Sequence, residues 1–338
     1  MTKRIKTFRT VILVAALIVP FVNSSRVRAD TIVRTSGQRI EGVEITKAAW
    51  DQVLYQKNGN TAQLPGDRIA SIERDSRILQ RIRGPLDSGD YPNAVAAIKR
   101  AEGGAQGWEL AEVQYLRGRL HLESGEYRKA DSAFATYIQN HRASKDYWIP
   151  HAVLGRGTAA IANKLGGAAQ QHFKDLRTYG DTWGVHADIG EAQGMVLKKR
   201  FADARSLFGK VARSRKATPS LVAAASVGRI KTMVLQEQYP AAIKDLERSF
   251  FAAGSSPELA SYGKARAEAT FLMGISYQKQ GGKPNLEHAE IWLLRTAVLY
   301  RAQPSIYRDA CKELENVYKT LGRAERAVEW GRRAKASS

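Results

Sequence analysis

Apolar positions along this chain follow two different periods. Between residues 30 and 75 they alternate with polar ones, as half-buried strands do. Residues 31–35 are β-rich and Ser36-Gly37 supplies a turn. Residues 39–46 then alternate, with Ile40, Val43 and Ile45 as the apolar members. Gly42 interrupts that strand, where a glycine marks a bulge or sharp bend. Trp50, Val53 and Tyr55 predict the next strand, and Asn58-Gly59 predicts a hairpin because both residue types tolerate positive φ. Residues 61–64 form the return strand, Pro65-Gly66-Asp67 breaks it, and residues 68–73 close the segment with Ile69 and Ile72. Five short strands, one strongly bent, predict a small barrel. A core that small is marginal alone, so the module is expected to dock on the first helices of the chain beyond it.

From Ser76 onward the period is helical. One phrase recurs: glycine, any residue, aromatic, then alanine three residues later and a large apolar residue four further on. It reads Gly89-Asp90-Tyr91, Ala94, Ile98 and again Gly125-Glu126-Tyr127, Ala130, Phe134. Without its glycine it returns as Phe201, Ala204, Phe208 and as Tyr239, Ala242, Leu246. The alanines fall at Ala94, Ala130, Ala169, Ala204, Ala242, Ala289 and Ala327, spaced by 36, 39, 35, 38, 47 and 38 residues. The longest spacing contains Gly281-Gly282-Lys283-Pro284-Asn285, read as a loop. Such a period means stacked helical hairpins. Each alanine marks a second helix. Small residues 12 positions upstream (Gly118, Gly157, Ala192) mark first helices, with Gly274 and Tyr277 in the sixth. Small residues let paired helices touch, and Phe134, Phe173 and Phe208 fill the gap to the next hairpin. Gly155-x-Gly157 inside a helix reads as packing.

These residues resemble the tetratricopeptide repeat family, in about seven copies over residues 76–335, with six or eight as alternatives. The family's tryptophan near the start of the first helix is absent from every copy. Its closing proline is mostly missing, with Pro219 and Pro304 near the expected places. The resemblance implies a mainly α fold: a right-handed α-α superhelix over residues 76–338, preceded by a small β-barrel-like module over residues 30–75. That module resembles the SH3-like or Sm-like β module of exported bacterial repeat proteins, on its turn, the Gly42 strand and the Leu64-Pro65-x-Asp67-x-Ile69-x-x-Ile72 ending.

The first 29 residues read as a signal peptide. Lys3, Arg4, Lys6 and Arg9 precede an apolar run from Val11 to Val22 broken by Pro20, and Val27-Arg28-Ala29 offers a cleavage site. The run is short for a membrane span, which needs about 20 residues; an uncleaved anchor is the alternative. Cleavage near Ala29 places the protein in the periplasm or outside the cell. It takes six basic residues and no acid, lowering the formal charge from +20 to 47 basic against 33 acidic residues, or +14. Outside the cytoplasm, a basic chain points to lipid headgroups, acidic polymers or acidic proteins. A general basic surface bias is the plainer reading. Cys311 is the single cysteine and sits in an apolar-periodic helix, so it reads as a buried thiol with no disulfide.

Patterns of catalysis are missing: no G-x-S-x-G elbow, no phosphate loop and no histidine or cysteine set at metal-ligand spacing. No cofactor is implied, and function points to binding. The family resemblance implies a concave face lined by first helices. It carries Glu112, Tyr115 and Arg119 from the second copy, His186, Gln193 and Val196 from the fourth, and Lys312, Asn316 and Lys319 from the last. Lys312 with Asn316 matches the first half of a carboxylate-binding clamp in some members; a chance pair on a terminal helix is the alternative. The densest charge is Lys198, Lys199, Arg200, Arg205, Lys210, Arg213, Arg215 and Lys216 against Asp203. It reads either as a solvated helix and loop or as an attachment patch for an anionic surface. No aromatics interleave with it, which argues against single-stranded nucleic acid.

Two functions are consistent with these features. One is an exported, non-catalytic scaffold for a protein or peptide partner in the cell envelope. The other is a binder of anionic polysaccharide or lipid.

Overall fold

The structure is a computed structural model, and it describes residues 30–251, 263–301 and 303–336. The signal-peptide reading lies outside the described residues. The chain opens with five antiparallel strands, β1 (Asp30–Arg34), β2 (Arg39–Ala48), β3 (Gln52–Lys57), β4 (Asn60–Pro65) and β5 (Ile69–Glu73), in the order β4-β3-β2-β1-β5. Gly42 stands in the bulge where Asp30 pairs Val43 and Thr31 pairs Glu41, at φ +70°. The expected barrel is not formed: β4 and β5 are opposite edges of an open sheet. The reason lies in the core. Ile32, Val43, Val53, Ile69 and Ile72 are joined by Tyr147 from the helical region, which covers the face that closure would otherwise bury.

Fourteen helices come next among the described residues, and they form seven hairpins. The first pairs α1 (Arg77–Asp87) with α2 (Tyr91–Glu102), the second α3 (Gly107–Glu123) with α4 (Tyr127–His141), and the third α5 (Ile149–Ala162) with α6 (Gly166–Leu176). Then come α7 (Asp181–Leu197) with α8 (Phe201–Ala212) and α9 (Pro219–Leu235) with α10 (Tyr239–Leu246). The array ends with α11 (Gly263–Gln280) and α12 (Lys283–Leu299), then α13 (Pro304–Thr320) and α14 (Ala324–Ala336). All seven repeat alanines lie on second helices and are at most 2% exposed.

Six of the hairpins turn through three residues, and the middle one is left-handed: Gly89, Gly125, Lys164, Lys199, Glu237 and Gly322. In each, the N–H of the third turn residue returns to the carbonyl five residues earlier, at 2.8–2.9 Å. That closure satisfies the end of the first helix and demands the left-handed residue. Glycine meets that demand without strain in the copies that keep it, and Lys164, Lys199 and Glu237 meet it at a cost.

The long spacing before Ala289 has a different origin from the one expected. Lys283 to Asn285 belong to the first turn of α12, and only Gly281 and Gly282 separate it from α11. The extra residues lie between α10 and α11, beginning with the π-helical turn Glu247–Phe251.

Consecutive first helices pack on one another along the whole array, α1 on α3 through to α11 on α13. Second helices pack mainly against the first helices of their own and the next hairpin. The layer whose members touch runs along the shorter arc, so the first helices form the inner face. The phenylalanines lock the layers. A Cβ on Gly118 would lie 2.5 Å from the Phe134 ring, and one on Gly155 would overlap the same ring. Phe173 is held likewise by Gly157 and Gly190, and Phe208 meets Gly228. Two registers therefore exist. In the second, third and fourth hairpins the small residue 12 before the repeat alanine takes the phenylalanine of that hairpin. The glycine 14 before it (Gly155, Gly190, Gly228) takes that of the preceding one.

Contrary to expectation, the β module does not dock chiefly on α1 and α2, the helices that open the array. It rests on the links on either side of the third hairpin and on the start of α7. Trp50, which precedes β3 rather than lying on it, donates its N–H to the Lys145 carbonyl at 2.8 Å, and its ring meets Tyr179 edge-on at 5.0 Å. Lys145 Nζ reaches Asp51 at 2.7 Å, and Thr182 Oγ1 donates to the Asp67 carbonyl at 3.0 Å. The links carry main-chain groups left unpaired by the helices, and the ends of the strands meet them.

Candidate interaction surface

Polar rungs cross-link the inner row of helices. Arg83 of α1 pairs with Glu112 of α3, and Asp87 of α1 accepts from Arg119 of α3 at 2.7 Å. Lys231 of α9 reaches Glu268 of α11 at 3.0 Å, and Gln278 of α11 donates to Glu313 of α13 at 2.9 Å. They join α1 to α3, and α9 through α11 to α13, which fixes the spacing of those helices.

Between these rungs runs a file of rings. Tyr115 of α3 stacks on Trp148 at 4.6 Å and 16°. Trp148 meets His151 of α5 at 4.9 Å, His151 meets Trp183 of α7 at 4.7 Å, and Trp183 meets His186 at 5.2 Å. The Nδ1 of His151 is buried without a hydrogen-bond partner. Burial, with the neighbouring His186, lowers the His151 pKa to about 3, and burial lowers that of His186 to about 4. Both imidazoles are therefore neutral near pH 7. Burial also pushes the Glu112 carboxyl up, against the pull of Arg83.

The structure thus brings Tyr115 and His186 into one ring file and places Glu112 and Arg119 in the rungs beside it. Gln193 is exposed on α7 and Val196 is half-buried on the same helix. Lys312 and Asn316 are exposed on α13, but Asn316 Nδ2 turns to Glu313 at 3.1 Å, and Lys319 pairs with Glu315 at 2.6 Å. Trp148, His151 and Trp183 were missed in the sequence. Their signal was the aromatic-rich entry into a first helix, Tyr147-Trp148 before Ile149 and Trp183 at the start of α7.

The basic cluster divides in space. Lys198, Lys199 and Arg200 occupy the turn before α8, while Arg213, Arg215 and Lys216 lie beyond its other end. Twelve helical residues separate them, about 18 Å. Arg200 pairs with Asp203 at 2.8 Å, Arg205 with Gln238 at 3.1 Å, and Lys216 with Asp181 at 2.8 Å, while Lys210 approaches Asp188 at 3.9 Å. Lys198, Lys199, Arg213 and Arg215 are exposed and make no ion pair with described residues.

Among the described residues no group of three or more His, Cys, Asp or Glu could hold a metal ion, and no helix is long and apolar enough to cross a membrane. Cys311 is buried on α13.

No family model matches the chain, and no curated protein does. Among solved structures it is similar to a tetratricopeptide repeat protein from Parabacteroides merdae, 13% identical, with 69% of this chain and 97% of that one covered at a TM-score of 0.37. It is also similar to BtubC (BKLC) from P. vanneervenii, 12% identical, with 78% and 91% covered at a TM-score of 0.32. Neither likeness is strong enough to carry an argument, and the solenoid architecture rests on this chain's own seven hairpins.

Proposed function

We propose that this protein is an exported, non-catalytic scaffold that holds an extended segment of another envelope protein along its inner face. The observation that carries this reading is the set of polar rungs between consecutive first helices. They present side chains from successive hairpins in fixed relative positions, as a surface reading an extended chain requires. The tripartite N-terminal segment supports export, with cleavage near Ala29. The β module, SH3- or Sm-like in its strand sequence, braces the links between hairpins and offers a second contact.

Pulldown from envelope extract tests this, with the purified protein as bait at low and moderate salt. A protein partner is expected at both, and Gln193→Trp, which fills the inner face from an exposed position, weakens its retention about tenfold. Recovery of no stable protein partner at either salt sinks the reading.

A second reading rests on four exposed cations that make no ion pair with described residues, Lys198, Lys199, Arg213 and Arg215. They suit an acidic polysaccharide or anionic lipid surface. Retention on such material falls steeply with salt and is reduced by Lys199→Glu with Arg200→Glu. Salt-insensitive retention removes it.

A further inference from the structure

We propose that β4 is a self-association edge, along which two copies of this chain join their sheets by antiparallel pairing of β4 with β4 about a two-fold axis at Ala62. The argument begins with hydrogen-bond register. Asn58 and Gly59, at φ +51° and +78°, make a two-residue turn, so Lys57 and Asn60 flank it as a bonded pair. Bonded and non-bonded pairs then alternate along the ladder. Asn60, Ala62 and Leu64 spend their main-chain groups on β3, and those of Thr61 and Gln63 point away from the sheet. Both residues are exposed, and no other described residue hydrogen-bonds to their main chain. The opposite edge differs: at β5 the Tyr147 hydroxyl reaches the Ile69 carbonyl.

Free edges are ordinarily guarded by charge. Each of the other four strands carries at least one charged residue, such as Asp30, Arg39, Lys57 and Glu73, whereas β4 (Asn-Thr-Ala-Gln-Leu-Pro) carries none. In a chain of formal charge +20, this is a stretch that two copies can bring together without local repulsion.

The edge is also its own complement. With Ala62 on the axis, Thr61 of each copy faces Gln63 of the other, and the four residues exchange four main-chain hydrogen bonds. A shift of two residues towards the strand end would set Thr61 opposite Pro65, whose missing N–H leaves the Thr61 carbonyl of each copy without a partner. Pro65, which has no N–H, ends the usable edge. So small a contact is weak and concentration-dependent.

Sedimentation equilibrium up to about 1 mM protein tests the proposal. The chain is compared with a Thr61→Lys, Gln63→Lys variant and a Thr61→Glu, Gln63→Glu variant, each first shown to melt as the parent does. The parent is expected to show a monomer–dimer equilibrium. Each variant alone associates at least about tenfold more weakly, and an equimolar mixture of the two restores the dimer. A parent that stays monomeric throughout, or a Lys variant that dimerises like the parent, overturns it. So does a monomeric parent that binds an added extended peptide at this edge.

Discussion

Phe134 of α4 is clasped between Gly118 of α3 and Gly155 of α5, so one ring joins its own hairpin to the next. A methyl group at either glycine would press into the ring. Gly118→Ala and Gly155→Ala are each expected to cost about 1–3 kcal/mol by overpacking, and Phe134→Ala about 3–5 kcal/mol through the cavity it leaves. Urea unfolding of the three variants checks this.

A contrast on a single helix separates packing from helix propensity. Gly184 and Gly190 both lie on α7. A Cβ at Gly184 meets nothing within 4 Å, whereas one at Gly190 strikes the Phe173 ring. Gly184→Ala should stabilise by about 0.5–1 kcal/mol, while Gly190→Ala destabilises. Opposite shifts in melting temperature are the outcome sought.

The left-handed turn residues make a second test. Lys164, Lys199 and Glu237 stand at φ +57° to +61°. There a side chain strains the backbone by about 1–2 kcal/mol, partly offset by the flexibility glycine adds to the unfolded chain. Glu237→Gly is expected to raise stability by about 0.5–1 kcal/mol, and Gly125→Ala, at φ +82°, to lower it by a similar amount. Equal effects of the two substitutions on thermal melts would contradict this account.

Acid sensitivity is a consequence of the ring file. His151 and His186 are neutral when folded, with pKa values of about 3 and about 4, and titrate near 6.5 when unfolded. Their contribution is complete above pH 6.5 and is lost as pH falls towards 4. Each costs on the order of 2 kcal/mol at pH 5. Glu112, whose carboxyl is raised, works the other way and offsets part of the loss. In His151→Leu the stability difference between pH 7 and pH 5 should shrink, whatever the variant's stability at pH 7. An unchanged difference in chemical denaturation would refute this.

Tyr147 ties the β module to the array, since it fills the sheet's core from the link before α5. Tyr147→Ala is expected to strip hydrogen-exchange protection from residues 30–73 while α11 to α14 keep theirs. A repeat array transmits disturbance to neighbours rather than along its length.

The sequence by itself determined a hairpin count of about seven, the second-helix alanines and the five strands of the module. Those arise from local periodicity: each hairpin carries its own alanine and aromatic, and each strand its own turn residues. The glycines at Gly155, Gly190 and Gly228 were harder to read, because the phenylalanine each receives belongs to the preceding repeat. Three things were decided only by the tertiary structure. The sheet stays open because a residue 75 positions beyond its last strand's Ile72, Tyr147, covers its core. The basic run divides because α8 carries its two ends apart. The ring file from Tyr115 to His186 forms because the stacking of α3, α5 and α7 brings together side chains that no sequence period relates.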